Sequence, residues 1–442
     1  MNQFRSYYNL IRSKISADSV SEMGWVAAGQ AANVIFSFII LKILSKLGTE
    51  HYGIYALVVS IAVFVGMIFY TPLSQGFIRF YYHYLEKKLT KTFVGMIYRI
   101  LLSSIIVLLI VSVISLLTPS FIDTERPGIF FLAAGLYVIA SKINEFFNSV
   151  LNLIRKRKQN SLLQGSEKAA TILLLSLLLF SSSLHLTYVL FVLVIVTLSS
   201  SAAKLSIFRK SLPGDDDPEP GNEAYRKKEM TAKLLKYMTP FFIWGFSGWL
   251  QLNGEKWIIN GFLSTSDVGI YAMMLGLVNG LVIVPFTVIS DFWTPIIYKQ
   301  YADMENRNSI RVGMQYIRIN SVVIFCVALF SSFVTYFWGK ELIILISSAD
   351  YAVYWYLLPL LCMGTGLFYT GQALTVHGMA LNVPKKYLTP KVAVGFVSVA
   401  LNILMIKIFG LNGVAYTILI VGTLYLFYIA LINRKLLAGA LK

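Results

Sequence analysis

Charged residues are scarce in this chain of 442 residues: they make up 13% of it, whereas hydrophobic residues make up 57%. A soluble protein of this length could not bury so much apolar surface, so lipid must be the solvent for most of the chain. Cysteine is almost missing, and Cys326 and Cys362 both lie in apolar runs. This argues against a disulfide framework and indicates two small core side chains. The first 20 residues have no apolar core, so we expect no cleavable signal peptide.

Long apolar runs dominate the rest of the sequence. Twelve of them approach the roughly 20 residues needed to cross a bilayer. They lie near 24–46, 52–77, 95–118, 128–152, 163–183 and 185–207 in the first half, and near 237–262, 267–292, 314–338, 352–377, 388–409 and 412–433 in the second. The sequence therefore predicts an all-α integral membrane protein with about 12 transmembrane helices.

The predicted domains follow these runs. Residues 1–207 form an N-lobe with a short amphipathic segment at 1–15, residues 208–236 form a cytoplasmic linker, and residues 237–442 form a C-lobe. The linker contains a run rich in Pro, Gly and Asp, which cannot pack a core. Its aspartates at 215–217 could suggest the metal-binding carboxylates of a glycosyltransferase, but no folded domain surrounds them. Six helices per lobe, an even number, predict a parallel repeat.

Lysine and arginine are sorted between alternate loops. The loops near 87–91, 155–158, 209–228, 299–311, 385–386 and 434–435 are basic, whereas the opposite loops carry little beyond Arg126 and Lys340. Because cytoplasmic loops are rich in these residues, both termini are predicted to be cytoplasmic. The formal net charge of +17 is mostly this sorting. It favours anionic lipid as a partner and argues against nucleic acid.

Polar side chains within the helices are the candidate functional residues, because an ionised group at the bilayer centre costs roughly 2.5–3.5 kcal/mol. On the fourth helix, Asn144, Glu145 and Asn148 share one face, and Lys142 lies three residues before Glu145. Two interpretations stay open. Lys142 and Glu145 form an ion pair within the helix, or the face is a wetted stripe that binds a polar substrate or carries a proton.

The seventh helix repeats this pattern. Its polar side chains form two adjacent stripes, with Ser247, Gln251 and Glu255 in one and Asn253 and Lys256 in the other. Three tryptophans accompany them: Trp244, Trp249 and Trp257. Aromatic rings beside amides suit sugar binding, since a ring stacks on a pyranose face while the amides bind its hydroxyl groups. The alternative for the tryptophans is contact with lipid at the membrane interface.

The remaining intramembrane charges are scattered. Lys42 either lines a cavity or snorkels to the interface, and Arg318 lies about a turn into the ninth helix. We expect Glu167 and Lys168 to reach the interface and His377 to be exposed to the cytoplasm. The surplus of basic groups suits an anionic substrate, and the carboxylates are candidates for coupling to a proton or a sodium ion.

The chain also repeats itself. The segment Leu47–Ala56 (LGTEHYGIYA) recurs in the second half as Leu263–Ala272 (LSTSDVGIYA), and Val94–Tyr98 recurs as Val312–Tyr316. Two matches in the same order, at matching places in a helix–loop–helix pattern, indicate an internal duplication. A duplicated membrane protein is usually a transporter whose site lies between its halves.

The first repeated segment resembles the first-loop signature of polysaccharide-repeat flippases of the Wzx type. That signature is a leucine, a glycine, an acidic residue, and then glycine, a hydrophobic residue and tyrosine, as in Leu47–Tyr55. Near the end, Asn402–Leu404 and Phe409–Ala415 resemble the asparagine-containing run and the Gly-x-x-Gly-x-Ala turn of their last two helices. The second copy departs from the pattern, with Ser264 in place of the glycine and Ser266 in place of the acidic residue.

The resemblance implies the MATE-like fold of the multidrug/oligosaccharidyl-lipid/polysaccharide (MOP) exporter superfamily, in the bacterial cytoplasmic (inner) membrane. It implies a transporter without cofactor or covalent chemistry. Such proteins flip undecaprenyl-diphosphate-linked oligosaccharide units, for example those of O-antigen and lipopolysaccharide, from the cytoplasmic to the periplasmic leaflet. Transport occurs by alternating access coupled to an ion gradient. Polysaccharide assembly proteins are expected partners.

Helical spacing in this sequence assigns roles to individual side chains. The candidates for substrate binding are Lys42, Lys142, Asn148, Trp249, Gln251, Asn253, Lys256 and Arg318. Glu145 and Glu255 are the candidates for ion coupling. A cation-coupled multidrug exporter of the same superfamily is one alternative, although the basic surplus disfavours it. A membrane glycan polymerase is another, although the outer loops are too short for its usual catalytic segment.

Overall fold

The computed structural model describes residues 32–114, 127–212, 223–301, 307–381, 383 and 385–440, and within these ranges the chain is helical and has no β-strand. The expectation of an all-α membrane protein is therefore confirmed. The predicted amphipathic segment at 1–15 and the centre of the predicted linker, 213–222, lie outside the described residues.

The helices are numbered α1 to α12 along the chain. Their bounds are 32–44 for α1, Thr49–Glu86 for α2, Thr90–Ile114 for α3, Pro127–Leu153 for α4, Arg157–Phe180 for α5, Leu186–Lys210 for α6, Glu223–Phe262 for α7, Thr265–Gln300 for α8, Arg307–Ile346 for α9, Ala349–Ala380 for α10, Lys385–Phe409 for α11 and Leu411–Ala440 for α12. α2 and α8 each contain a π-helical turn, Gly66–Tyr70 and Asn279–Ile283, and a proline follows within two residues. The two helices that carry the repeated segment thus also share the same helical irregularity.

Ten of the described helices are long and apolar enough to cross a membrane. α7 is not among them because its polar side chains lower its hydropathy, and only residues 32–44 of the first predicted span are described. The count of twelve membrane spans and the cytoplasmic position of both termini stay predictions.

The two copies of the repeated segment begin their helices differently. Before α2, Gly48 has a φ of +86°, a left-handed conformation that glycine adopts readily. Before α8, Ser264 has an extended backbone, and its hydroxyl accepts a hydrogen bond from the Asp267 backbone N–H at 3.1 Å. The replacement of the glycine by Ser264 is therefore a change of helix cap, and the helix still begins at the matching threonine, Thr265.

Internal packing divides the chain into two units. The first unit comprises the described residues up to Ile43 and the stretch Phe69–Thr239, and the second comprises Leu44–Ile68 and the residues from Pro240 onward. The first half of α2, which carries the repeated segment, thus packs with helices of the C-terminal half. The division into lobes at 1–207 and 237–442 stays a prediction.

In the first unit, an aromatic cluster joins α2, α3, α4 and α6. The Phe77 ring lies 5.7 Å from the rings of Phe93 and Phe146 and 6.0 Å from the ring of Phe208. Such aromatic pairs contribute about 0.5–1.5 kcal/mol each beyond their burial. The cluster therefore fixes the helices that carry the polar side chains of this unit.

In the second unit, α2 and α8 cross at the repeated glycines. A Cβ atom on Gly53 would lie 1.9 Å from the Thr265 carbonyl oxygen, and one on Gly269 would lie 1.9 Å from the Thr49 carbonyl oxygen. The Ser266 hydroxyl donates to the Thr49 hydroxyl across the same crossing at 2.6 Å. Small residues let membrane helices approach closely, so each copy of the repeat needs its glycine because of the backbone of the other copy.

Candidate functional site

The second unit contains a cavity of about 200 Å³ between α7, α8, α10, α11 and α12. Most of its wall is apolar, with side chains such as Leu275, Phe368 and Ile418. Its polar lining residues are Gln251, Glu255, Tyr271, Thr365, Tyr369 and Ser398. A concave, mostly apolar space with a few convergent polar groups is typical of a ligand-binding site.

Glu255 supplies the charged group of this lining. It is 5% exposed, and the Tyr271 hydroxyl donates to its Oε1 at 3.1 Å. Among the ion pairs of the described residues, none includes Glu255. A buried carboxylate is costly unless it is hydrogen-bonded, paired or protonated. The buried Glu255 carboxylate therefore depends on the hydrogen bond from Tyr271 or on neutralisation of its charge.

Two buried amide oxygens accompany this carboxylate on α7 and α11. Gln251 Oε1 and Asn402 Oδ1 have no hydrogen-bond partner among the described residues. Gln251 lies one helical turn before Glu255 and lines the cavity, while Asn402 Nδ2 lies 3.5 Å from the hydroxyl of Ser398, another lining residue. Unpaired buried polar atoms are rare in folded proteins. Both atoms are acceptors, which suits a cation or a hydrogen-bond donor.

In the neighbouring stripe of α7, the two polar side chains are hydrogen-bonded to each other. Lys256 Nζ donates to Asn253 Oδ1 at 2.9 Å, and Asn253 is 6% exposed. A lysine ammonium has three N–H donors and an asparagine amide group has two, so this hydrogen bond leaves donors on both predicted substrate-binding side chains.

Two tryptophans of α7 are tied to a single residue of α2. The Trp249 indole N–H donates to the Ser60 carbonyl oxygen and the Trp257 indole N–H donates to the Ser60 hydroxyl, each at 2.8 Å. The Phe64 ring meets the Trp249 ring edge to face at 4.9 Å. At Trp249, the predicted glycan contact, the indole N–H is therefore already hydrogen-bonded and the ring already contacts Phe64.

In the first unit, Lys142 and Glu145 form the intrahelical ion pair that one interpretation of the fourth helix expected. Their Nζ and Oε2 atoms lie 2.5 Å apart, with the Lys142 side chain 9% exposed and the Glu145 side chain 58% exposed. Asn148, on the same helix, accepts a hydrogen bond from Gln164 of α5 at 3.4 Å. The Lys142 side chain is thus buried, whereas the Glu145 carboxylate is exposed.

A buried network that sequence reasoning missed joins α4, α5 and α6. Lys204 is fully buried and donates to Asn144 Oδ1 at 2.6 Å and to Glu167 Oε2 at 3.3 Å. Asn144 Nδ2 in turn donates to both Glu167 carboxylate oxygens at 2.9 Å. The Glu167 carboxylate, whose side chain is 20% exposed, therefore compensates the buried ammonium, and its expected position at the membrane interface stays a prediction.

One feature of the sequence could have revealed this network. Thr197, Ser201 and Lys204 recur at helical spacing on α6, and all three are buried. A polar stripe of this kind on an apolar helix predicts a polar partner on a neighbouring helix. Lys168 makes a similar contact with α1, where it donates to the Asn33 carbonyl oxygen at 2.8 Å and to the Ser37 hydroxyl at 2.6 Å.

The other predicted residues lie on α1, α9 and α10. Lys42 is half-buried on α1, and Arg318 is exposed on α9 and does not line the cavity. The expectation that His377 is exposed is wrong: it is fully buried, and its Nδ1 lies 2.6 Å from the Tyr301 hydroxyl. The physical reason is that α10 continues past His377 to Ala380, and the ring of Tyr301, which follows α8, packs against the His377 ring.

Within the described residues, no group of three or more His, Cys, Asp or Glu side chains could hold a metal ion. The polar groups above are thus a carboxylate with amides in the second unit and an ion-pair network in the first. They can bind, orient or exchange ions and polar groups.

Comparisons with known proteins give a consistent picture. A family model described as "polysaccharide biosynthesis protein" matches residues 19–300, and no curated protein matches the sequence. The lipid II flippase MurJ in an inward closed conformation is similar in structure, with a TM-score of 0.67, 14% identity, and 96% of this chain and 90% of that chain covered.

Two MATE transporters are also similar in structure. A mutant of the Vibrio cholerae MATE transporter VcmN aligns with a TM-score of 0.63 and 14% identity over 95% of this chain and 96% of that chain. An inward-facing multidrug resistance MATE family transporter of the MOP superfamily aligns with a TM-score of 0.64 and 14% identity over 92% and 94%. At this level of identity the likeness shows the fold alone, and it confirms the predicted MATE-like exporter fold.

Proposed function

The chain belongs to the polysaccharide biosynthesis protein family, and from that premise we propose that it flips a lipid-linked oligosaccharide across the membrane. The family and the fold are those of multi-pass membrane transporters rather than of enzymes. In the proposal, the substrate is an undecaprenyl-diphosphate-linked repeat unit, such as that of O-antigen or lipopolysaccharide. It moves from the cytoplasmic to the periplasmic leaflet of a bacterial inner membrane, where polysaccharide assembly proteins receive it.

One observation carries the mechanistic part of the proposal. The buried carboxylate of Glu255 lines a cavity within a bundle of membrane helices, where its hydrogen bond comes from Tyr271. Occupation by a proton or a sodium ion would neutralise this charge, and the cost of burying it would fall. A conformational cycle that alternates between the two forms can therefore draw on an ion gradient. Glu255 is the coupling residue in this account.

The substrate contacts follow from chemistry and position. Lysine and arginine side chains attract a diphosphate, which is the role proposed for Lys42, Lys142, Lys256 and Arg318. Amides and an aromatic ring suit the glycan, which is the role proposed for Asn148, Gln251, Asn253 and Trp249. Of these, Gln251 has the strongest support, because its buried carbonyl oxygen has no partner among the described residues and it lines the cavity.

The test compares two carboxylates in the full-length protein reconstituted in liposomes. Glu255→Gln should abolish the dependence of oligosaccharide flipping on an imposed proton or sodium gradient, since the amide cannot exchange an ion. Glu229→Gln is the matched control, because that carboxylate is largely exposed and pairs with Lys233. Equal gradient dependence in Glu255→Gln and the unaltered protein would remove Glu255 from the mechanism.

A second candidate function, a cation-coupled multidrug exporter, has one observation in its favour. The cavity combines apolar and aromatic walls, including Phe368 and Tyr369, with the carboxylate of Glu255, a combination that accepts hydrophobic organic cations. A host lacking the gene decides between them. Sensitivity to cationic drugs with intact surface polysaccharide supports the exporter, whereas loss of surface polysaccharide alone supports the flippase.

A further inference from the structure

A cation–aromatic pair lies between α7 and α11 in the second unit. Lys391 Nζ lies 4.1 Å from the centre of the Trp244 ring, and both side chains are half-buried. Sequence reasoning gave Lys391 no role. A lysine within a membrane helix is costly unless it finds a compensating group, and a single aromatic face compensates only part of the charge.

No acidic side chain completes the compensation. Among the described residues, the ion pairs involve Lys142, Lys204 and Lys233, and none reaches Lys391. The Trp244 indole N–H likewise donates none of the hydrogen bonds in the described part of the chain. The pair therefore presents an ammonium and an indole N–H, which are donors, and it presents no acceptor.

The position of the pair connects it with the cavity. One turn further along the two helices, a Cβ on Gly395 of α11 would lie 3.1 Å from the Ser247 carbonyl oxygen of α7. Beyond this crossing the same faces carry the cavity-lining residues Gln251 and Ser398. Lys391 is near the beginning of α11, the end at which the basic residues at 385–386 predict the cytoplasm.

We propose that Lys391 and Trp244 form a binding site for a lipid-borne phosphate group, in which the diphosphate of the substrate makes contact before its glycan enters the cavity. The proposal rests on the proposed flippase function. A phosphate offers only acceptor oxygens, which match the two donors, and charge-assisted hydrogen bonds of this kind are about twice as strong as neutral ones.

The same two helices supply a matched control. Near their other ends, Lys407 Nζ lies 5.3 Å from the centre of the Phe262 ring, and both side chains are exposed. This second cation–aromatic pair has no indole N–H. It reproduces the charge and the aromatic contact of the first pair without its burial or its position beside the cavity.

The experiment measures binding of farnesyl diphosphate to the purified full chain in phosphatidylcholine nanodiscs by calorimetry. Lys391→Ala should weaken binding about tenfold or more, the loss expected for one charge-assisted hydrogen bond. Lys391→Arg should retain most of the affinity, and Trp244→Phe should weaken it several-fold. Lys407→Ala should bind as the unaltered protein does. Lys391→Met, which keeps the aliphatic stem, guards against a folding defect in the alanine variant and should weaken binding equally.

Three results separate the possible failures. Equal binding by Lys391→Met and the unaltered protein, or an equal loss in Lys407→Ala, would overturn the Lys391 site. Competition by phosphatidylglycerol at the same affinity as farnesyl diphosphate would assign the site to phospholipid headgroups and overturn its role for the substrate. Failure of the unaltered protein to bind farnesyl diphosphate at all would overturn the lipid-phosphate site, whereas normal delivery of repeat units to the periplasmic leaflet without the protein would overturn the proposed flippase function.

Discussion

Replacing either repeated glycine with alanine should separate α2 from α8 and destabilise the second unit. The Cβ of Gly269→Ala would lie 1.9 Å from the Thr49 carbonyl oxygen, whereas ordinary contacts begin at 3.4 Å. The obstacle is backbone, so the helices themselves must move apart by about 1.5 Å. Overpacking of this kind costs about 1–3 kcal/mol. Gly53→Ala should cost a similar amount, because its Cβ would lie equally close to the Thr265 carbonyl oxygen.

The size of the double-variant effect tests the reasoning more strictly. Because both substitutions act by widening one helix crossing, Gly53→Ala combined with Gly269→Ala should cost less than the sum of the single effects. The matched control is Gly261→Ala on α7, where an added Cβ meets nothing within 4 Å. This control should be neutral or stabilising by up to about 1 kcal/mol, as expected for alanine in a helix.

The assay is unfolding of the purified protein in detergent, followed by intrinsic tryptophan fluorescence as temperature or denaturant rises. The unfolding midpoint should fall for each crossing variant and remain unchanged or rise for Gly261→Ala. If Gly53→Ala and Gly269→Ala were as stable as the control, or if their effects were fully additive, the reciprocal glycine crossing would not hold the repeated segments together.

Further predictions concern the two polar networks and the surface. Lys204→Met should lower the free energy of unfolding by about 3–5 kcal/mol, because it leaves the Glu167 carboxylate without its buried partner. Adding Glu167→Gln should recover part of this loss in the same unfolding assay. No recovery would mean that the pair does not act as a unit. Ser60→Ala removes the hydroxyl that accepts from Trp257 but keeps the carbonyl oxygen that accepts from the other tryptophan. It should cost about 0.5–1.5 kcal/mol, and an unchanged Trp257 emission spectrum would contradict this. Lys233→Ala breaks a largely exposed ion pair and should leave the unfolding midpoint unchanged.

The helical fold could be predicted from the sequence because its signal is local. Apolar runs of membrane length identify helices one at a time, and the bounds of α6 and α12, for example, lie close to the predicted 185–207 and 412–433. The repeated segment also predicted a structural relationship between Gly53 and Gly269. That the two glycines meet in one crossing was beyond the sequence, because it depends on the approach of α2 and α8 in space.

The candidate site could be predicted only in part. Helical spacing placed Gln251 and Glu255 on one stripe, and both line the cavity. The Lys204 network was missed because its partners, Asn144 and Glu167, lie on two other helices, and side-chain pairing between distant segments leaves no local pattern.

His377 shows a different limit of sequence reasoning. A histidine near the end of an apolar run is consistent with the cytoplasmic interface, but the structure buries its ring against Tyr301, which directly follows α8. Burial near a helix end depends on what packs there, and the sequence of α10 alone does not contain that information.

The central claim is that the chain moves lipid-linked oligosaccharide between leaflets, and one measurement tests it most directly. The gene is depleted in its host, and undecaprenyl-diphosphate-linked repeat units are quantified separately in the cytoplasmic and periplasmic leaflets. The account predicts accumulation of repeat units in the cytoplasmic leaflet with loss of surface polysaccharide, reversed by the unaltered gene. Repeat units delivered normally to the periplasmic leaflet, with intact surface polysaccharide, would contradict it.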